Sequence, residues 1–157
     1  MINPNLPYIY FKTKSFRVYL RLWKLDDEWI GVSYSVKGFN SKEIYQGGSP
    51  LGNWYQDDLT VLLNELNKLM IMNEYEATFE PLDDPYLDIV LKSNFDEKYL
   101  KINFYWDPPE SKDYLSVHLN CEQIENLKMY LSLATGKITK DDEQIKILYD
   151  KGILQGD

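Results

Sequence analysis

The sequence predicts an α+β protein: an antiparallel sheet of six or seven strands, with helices packed on its apolar face or end and a short helix near the C-terminus. Three observations predict it. Segments of two-residue hydrophobic alternation follow one another without the strand–helix–strand rhythm of a parallel sheet. Two other stretches carry apolar residues at three- and four-residue spacing, as amphipathic helices do. Rings are abundant: 13 Tyr, 4 Trp and 6 Phe make 15% of the 157 residues, a bias that suits a pleated, half-buried surface.

Taken in order, YIYFK reads as an additional edge strand, with Pro4 and Pro7 discouraging pairing upstream. FRVYLRL alternates Phe16, Val18, Leu20 and Leu22 against Arg17, Tyr19 and Arg21. WIGVSYSVKGF repeats the pattern with Ile30, Val32, Tyr34 and Val36, and LDD between them is a hairpin turn in which Asp bonds its own backbone. The segment 40–53 holds Gly47, Gly48, Pro50 and Gly52 and reads as a loop. Asp57 is placed to cap a helix whose stripe is Leu59, Leu62, Leu63, Leu66, Leu69 and Met70. EYEATFE, YLDIVLK, KYLKINFYW and YLSVHLN then form a four-strand meander joined by the short polar linkers PLDDP, SNFDE and DPPESKD. Asn120 with Gln123 forms a capping box, so a helix is expected over about 121–135 with Gly136 at its C-terminal cap. Thr139 is a candidate cap for a third helix carrying Ile145, Leu148 and Tyr149 and ending near Gly152. No repeat or long linker divides the chain, so 1–157 is read as one domain, with a core over about 8–135 and an extension after it.

Charge is unevenly spread. The net is −8, yet residues 1–25 hold Lys12, Lys14, Arg17, Arg21 and Lys24 without an acid. Between Glu74 and Glu97 eight acids face one base, Lys92, a local net of −7. Such a field attracts a basic partner and repels nucleic acid and anionic lipid, so neither nucleic acid nor membrane is expected as a partner. Nucleic-acid contact is the alternative for the basic N-terminal strand, but without a clustered patch and against the net charge of −8 the strand is assigned to neutralising neighbouring acids. No apolar run reaches the roughly 18 residues of a membrane span, and MINPNLPYIYF lacks a signal peptide's basic start and cleavage site. A cytoplasmic location is the expectation.

Catalytic signatures are absent. The one His and one Cys, in VHLNC, would put Cys121 in the first turn of a helix where thiolate is favoured, with His118 as its base. Their placement on different elements favours a solvent-facing His and a small buried Cys instead. Asp83, Asp84 and Asp88 lack the alternating ligands and glycine of a calcium loop, and one His with one Cys makes no zinc site, so no metal or cofactor is expected. A carboxylate pair of glycosidase type stays open as the basis of a small hydrolase or transferase.

Two features invite a binding reading. FEPLDDPYLDI crowds Glu80, Asp83, Asp84 and Asp88 beside a sheet, either as a solvated turn or as a site that steers a partner. The polar side of the strands carries Tyr19, Trp23, Trp29, Tyr99, Tyr105, Tyr114 and His118 with Arg17, Arg21 and Lys101. That face is either covered by the N-terminal segment or third helix as a second small core, or left open to anchor a partner.

The layout FRVYLRLWKLDDEWIGVSYSVKGF, a Gly-rich segment, DDLTVLLNELNKL, ATFEPLDDPYLDIVL, then a strand and YLSVHLN with a helix, resembles the WapI-like immunity proteins encoded beside bacterial polymorphic, contact-dependent toxins. The most suggestive pieces are the GF that ends the early hairpin, the DL that opens the helix, and FEP before a strand. The resemblance spans about residues 8–135 and leaves the tail outside. It implies a cytoplasmic antidote, not an enzyme, that binds and blocks a basic toxin C-terminal domain, often a nuclease. The carboxylates would then stand in for phosphate charge. The expected contact residues are Glu80, Asp83, Asp84, Asp88, Trp23, Trp29 and Tyr105, chosen on charge and aromatic exposure because the family offers no catalytic residues to carry over.

Overall fold

Among the residues that the computed structural model describes (6–38, 40, 42–106, 108 and 113–156), the chain forms nine strands and three helices. The early hairpin is β2 (Arg17–Lys24) and β3 (Trp29–Lys37), preceded by β1 (Tyr8–Lys12) and followed by β4 (Glu43–Tyr55). Helix α1 (Gln56–Ile71) leads into the meander β5 (Glu74–Phe79), β6 (Leu87–Asn94), β7 (Glu97–Tyr105) and β8 (Tyr114–Leu119). Helices α2 (Cys121–Ala134) and α3 (Glu143–Asp150) and the two-residue β9 (Leu154–Gln155) complete it. Pro4, Phe39 and most of the DPPESKD linker lie outside the described residues.

The α+β class and the antiparallel pairing are as the alternation predicts, but the strands divide between two sheets. One has the order β4-β3-β2-β1-β9 and the other β5-β6-β7-β8. Their inner faces and the apolar stripes of the helices share one core. A void of about 20 Å³ marks the meeting point, lined by Val18 and Tyr34 of the first sheet, Ile89 and Phe104 of the second, Leu62 of α1 and Leu127 of α2.

The expected loop over 40–53 is largely strand. β4 pairs with β3 from Lys37↔Glu43 to Trp29↔Tyr55, with register shifts between Ile30 and Val32 and between Val36 and Lys37. A strand at a sheet edge tolerates glycine and proline because one side of its backbone needs no ladder. At Gly47 the glycine is required by contact, since a Cβ there would press to 2.5 Å of the Tyr34 ring.

Helix α1 starts one residue before the expected cap. Tyr55 is its N-cap, and Asp58 accepts the Tyr55 N–H at 2.8 Å. At α2 the capping box forms as the sequence indicates: Asn120 accepts from Gln123 N at 2.8 Å, and Gln123 Oε1 accepts from Asn120 N at 3.0 Å. Gly136 follows with φ 78°, the left-handed geometry that glycine adopts without strain. Helix α3 is capped by Asp142, not Thr139, through a 2.9 Å bond from Gln144 N. In the β2–β3 turn Asp26 Oδ1 accepts from both Glu28 N and Trp29 N at 2.8 Å, the local bonding expected of LDD.

β1 is interior, because β9 pairs with it at Tyr8↔Gln155 and Ile9↔Leu154. Beyond Tyr8↔Arg21 the β1–β2 ladder opens, and the buried Tyr130 hydroxyl fills the gap. It accepts from Leu22 N at 3.0 Å and donates to Pro7 O at 2.8 Å, which fixes α2 to the first sheet.

Candidate functional site

The segment between β5 and β6, residues 80–86, is the bridge between the sheets. Its sequence, EPLDDPY, cannot continue a strand through two prolines, so the chain turns and offers its carboxylates to whatever packs beside it. Asp84 points inward and is only 2% exposed. Its Oδ2 accepts from Trp54 Nε1 of β4 at 2.8 Å and from the Tyr34 hydroxyl of β3 at 3.4 Å, while Oδ1 accepts from Tyr86 N at 3.0 Å. Burial raises its carboxyl above the ordinary carboxylate range, opposed by these hydrogen bonds. The Tyr34 phenol is held far above its usual value by burial and by the Asp84 charge.

Two further ties join the same edges. The Tyr55 hydroxyl donates to Asp83 Oδ2 at 2.9 Å, and the Tyr45 hydroxyl donates to Tyr105 O at 2.8 Å. Tyr45 is pushed up to about 12, by burial first and then by Asp84. Around these bonds Tyr34, Tyr45 and Phe104 pack at 5.3–6.0 Å between centroids, and Trp106 meets Tyr45 edge-on at 5.4 Å. On β6, Asp88 accepts from Asn103 Nδ2 at 2.8 Å and from the Tyr105 hydroxyl at 2.6 Å. Burial and the bond to Asp88 raise Tyr105 to about 12.

Outside this bridge lies an open cleft of about 840 Å³ lined by Glu80, Pro81, Leu82, Asp83, Asp84, Pro85, Leu87, Asp88, Tyr105, Pro108 and Tyr114. Five of the seven expected contact residues therefore converge on one concavity: Glu80, Asp83, Asp84, Asp88 and Tyr105. Their roles differ. Glu80 is exposed, Asp83 and Asp88 are fixed by tyrosines of the framework, and Asp84 is committed to the interior. The reading of all four acids as a presented surface is corrected at Asp84, whose oxygens the interior uses as hydrogen-bond acceptors. No basic side chain lines the cleft among the described residues, so its floor offers acceptors and uncompensated negative potential.

Trp23 and Trp29 lie elsewhere, on the outer face of the first sheet. Trp29 packs on Tyr55 at 4.1 Å between centroids, tilted by 33°, and Tyr55 in turn bonds Asp83 at the cleft. Trp23 lies over Gly31, where a Cβ would collide with the indole. The expected aromatic face is thus divided, with Tyr99, Tyr105, Tyr114, His118 and Lys101 on the second sheet. Among the described residues β1 joins the first sheet and α3 packs on α2 and β9, so neither element covers the first group. Tyr34, Tyr45, Trp54 and Tyr55 were not singled out from the sequence as site residues. The available signal was that a buried Trp N–H or Tyr O–H needs an acceptor.

The thiol and imidazole do not assemble. Cys121 is exposed, the His118 ring packs on Tyr99 at 5.2 Å, and no hydrogen bond joins the two. The expected burial of Cys121 is corrected: as the first residue of α2 it sits at the rim, with Ile124 and Leu127 filling the core. Among the described residues no three His, Cys, Asp or Glu side chains form a metal-binding group, and no helix is long and apolar enough to cross a membrane.

No family model and no curated protein matches the chain. Among solved structures, WHY3 from Arabidopsis thaliana is similar at a TM-score of 0.43 and 6% identity over 92% of each chain. The plant transcriptional regulator PBF-2 gives 0.42 and 7% over 93% of this chain and 87% of that one. At those values neither likeness bears on what this protein binds.

Proposed function

We propose that this protein is a cytoplasmic immunity protein that neutralises a cognate bacterial toxin domain by occluding it, without catalysis of its own. The observation that carries the reading is the cleft: Glu80, Asp83 and Asp88 present three carboxylates beside two tyrosines on an open concavity with no lining base among the described residues. A basic protein surface is the complement of that potential, and a nuclease, which attracts phosphate through Lys and Arg, presents such a surface at its active site. The framework supports rigid presentation, since Asp83 and Asp88 are each fixed by a tyrosine hydroxyl. Tyr105 and Tyr114, 5.4 Å apart, supply ring area at the rim.

The test is titration calorimetry of the protein with the C-terminal toxin domain encoded beside its gene, at low and at high salt. Binding that weakens as salt rises, and weakens further with Glu80→Lys and Asp83→Lys combined, is the expected result. Affinity indifferent to both salt and charge reversal would refute the reading. So would turnover of a substrate panel that disappears when Cys121 is alkylated, because that outcome belongs to a Cys-dependent enzyme.

A further inference from the structure

The outer face of the five-stranded sheet breaks a rule of sheet design. The registers Lys12↔Arg17 and Arg17↔Lys37 set three cations side by side across β1, β2 and β3, and Lys14 sits in the adjoining turn. Like charges directly opposite one another are destabilising. One acid, Glu43, continues the row on β4. Among the described residues no acid forms a salt bridge with Lys12, Lys14, Arg21 or Lys37, whereas Lys24 pairs with Asp27 and Lys128 with Glu125. The expectation that the N-terminal bases neutralise neighbouring acids is therefore not met for those four.

Along the same face the cations alternate with rings. On β2 the outward order is Arg17, Tyr19, Arg21, Trp23, about 6.7 Å apart at the strand rise. Lys37 Nζ stands 5.3 Å from the centre of the Tyr19 ring, and the Arg21 guanidinium stands 5.2 Å from that of Tyr8. Tyr10 meets Tyr19 at 4.9 Å. Trp23 is laid against the bare backbone of Gly31, so one indole face is supported by the sheet and the ring needs no reordering to stack on a ligand. Tyr8, Arg21, Trp23 and Ser33 line a depression of about 320 Å³.

Cations select a polyanion, and a ring laid on the sheet, as Trp23 is on Gly31, selects one with π faces. We infer that this face binds single-stranded nucleic acid, with Lys12 and Lys37 holding phosphates and Tyr19 and Trp23 stacking bases. The net charge of −8 does not prevent this. The cation row lies about 20 Å along β2 from Trp23, on the side away from Trp29 and its link to the acidic cleft, and salt at physiological strength screens charge within about 8 Å. The inference is independent of the cleft reading, because the two surfaces share none of these residues.

The test is fluorescence anisotropy of the full chain with a labelled oligothymidylate, alongside its duplex with oligoadenylate and a labelled polyglutamate. The expected result is binding of the single strand at low salt that quenches tryptophan emission. Lys12→Ala with Lys37→Ala should weaken it about tenfold and flatten its salt dependence. Tyr19→Ala should cost a similar factor with the salt slope unchanged, and Glu80→Lys with Asp83→Lys should not weaken it. All three variants change side chains outside the buried core, and circular dichroism checks that each is folded. No binding of the single strand, equal or tighter binding of the duplex or of polyglutamate, or affinity unmoved by the Lys pair and by Tyr19→Ala would each overturn the inference.

Discussion

Replacing Asp84 with Ala should destabilise the protein by about 2–4 kcal/mol. Asp84 is the shared acceptor of three donors, two of them at good distance: Trp54 Nε1 at 2.8 Å and Tyr86 N at 3.0 Å. The third, from Tyr34, is long at 3.4 Å and adds little. Each buried donor left without a partner costs about 1–3 kcal/mol. Removing the carboxylate also relieves its own desolvation, which keeps the total near the lower half of the sum for two donors. Asp84→Asn retains one acceptor oxygen and sheds the charge, so its loss should be about 1 kcal/mol. The two variants also separate in pH dependence. Burial raises the Asp84 pKa in the folded state, so folding is favoured more with Asp84 protonated than with it ionised. That advantage is fully present below the unfolded pKa and is lost as pH rises through the folded one. Wild type should therefore gain stability relative to Asp84→Asn on acidification across the carboxylate range. Urea denaturation followed by circular dichroism at several pH values measures both quantities. A loss under about 0.5 kcal/mol for Asp84→Ala, or a wild-type advantage that shrinks on acidification, would refute the account of the bridge.

Tyr130→Phe removes the hydroxyl between Leu22 N and Pro7 O, leaving a buried N–H without an acceptor, and should cost about 2 kcal/mol in the same denaturation assay. Asn120→Ala removes the side-chain acceptor of the α2 capping box and should lower stability by about 1 kcal/mol, visible as a reduced thermal midpoint. Gly31→Ala forces the Trp23 indole off the sheet; an altered tryptophan emission maximum with a loss of about 1–3 kcal/mol is expected, and unchanged emission would contradict the contact.

The division between what was readable from the chain and what was not follows the range of the interactions. The meander β5–β8, the hairpin β2–β3 and both long helices were legible because hydrophobic period and capping residues act within a few positions. Leu87, Ile89 and Leu91 are buried as their alternation requires, and Asn120 and Gln123 cap α2 as their spacing requires. β4 was hidden because Gly47, Gly48, Pro50 and Gly52 are local loop signals, and only a neighbouring strand makes an edge of them. β9 is two residues long and gains its identity solely from pairing with β1.

The candidate site divides in the same way. Composition alone located the acids of 80–88 and the rings of β2, β3 and β7, since charge density and ring count need no partner to be counted. Which acid faces solvent was a tertiary decision: Asp84 turns inward because Trp54 and Tyr34, thirty and fifty positions away, aim buried donors at it. The row Lys12, Arg17, Lys37 was equally beyond local reading, because strand register, not sequence distance, sets like charges side by side. Periodicity thus determined which residues each element would bury, and the packing of two sheets around shared helices decided which of the remaining polar groups became framework and which became surface.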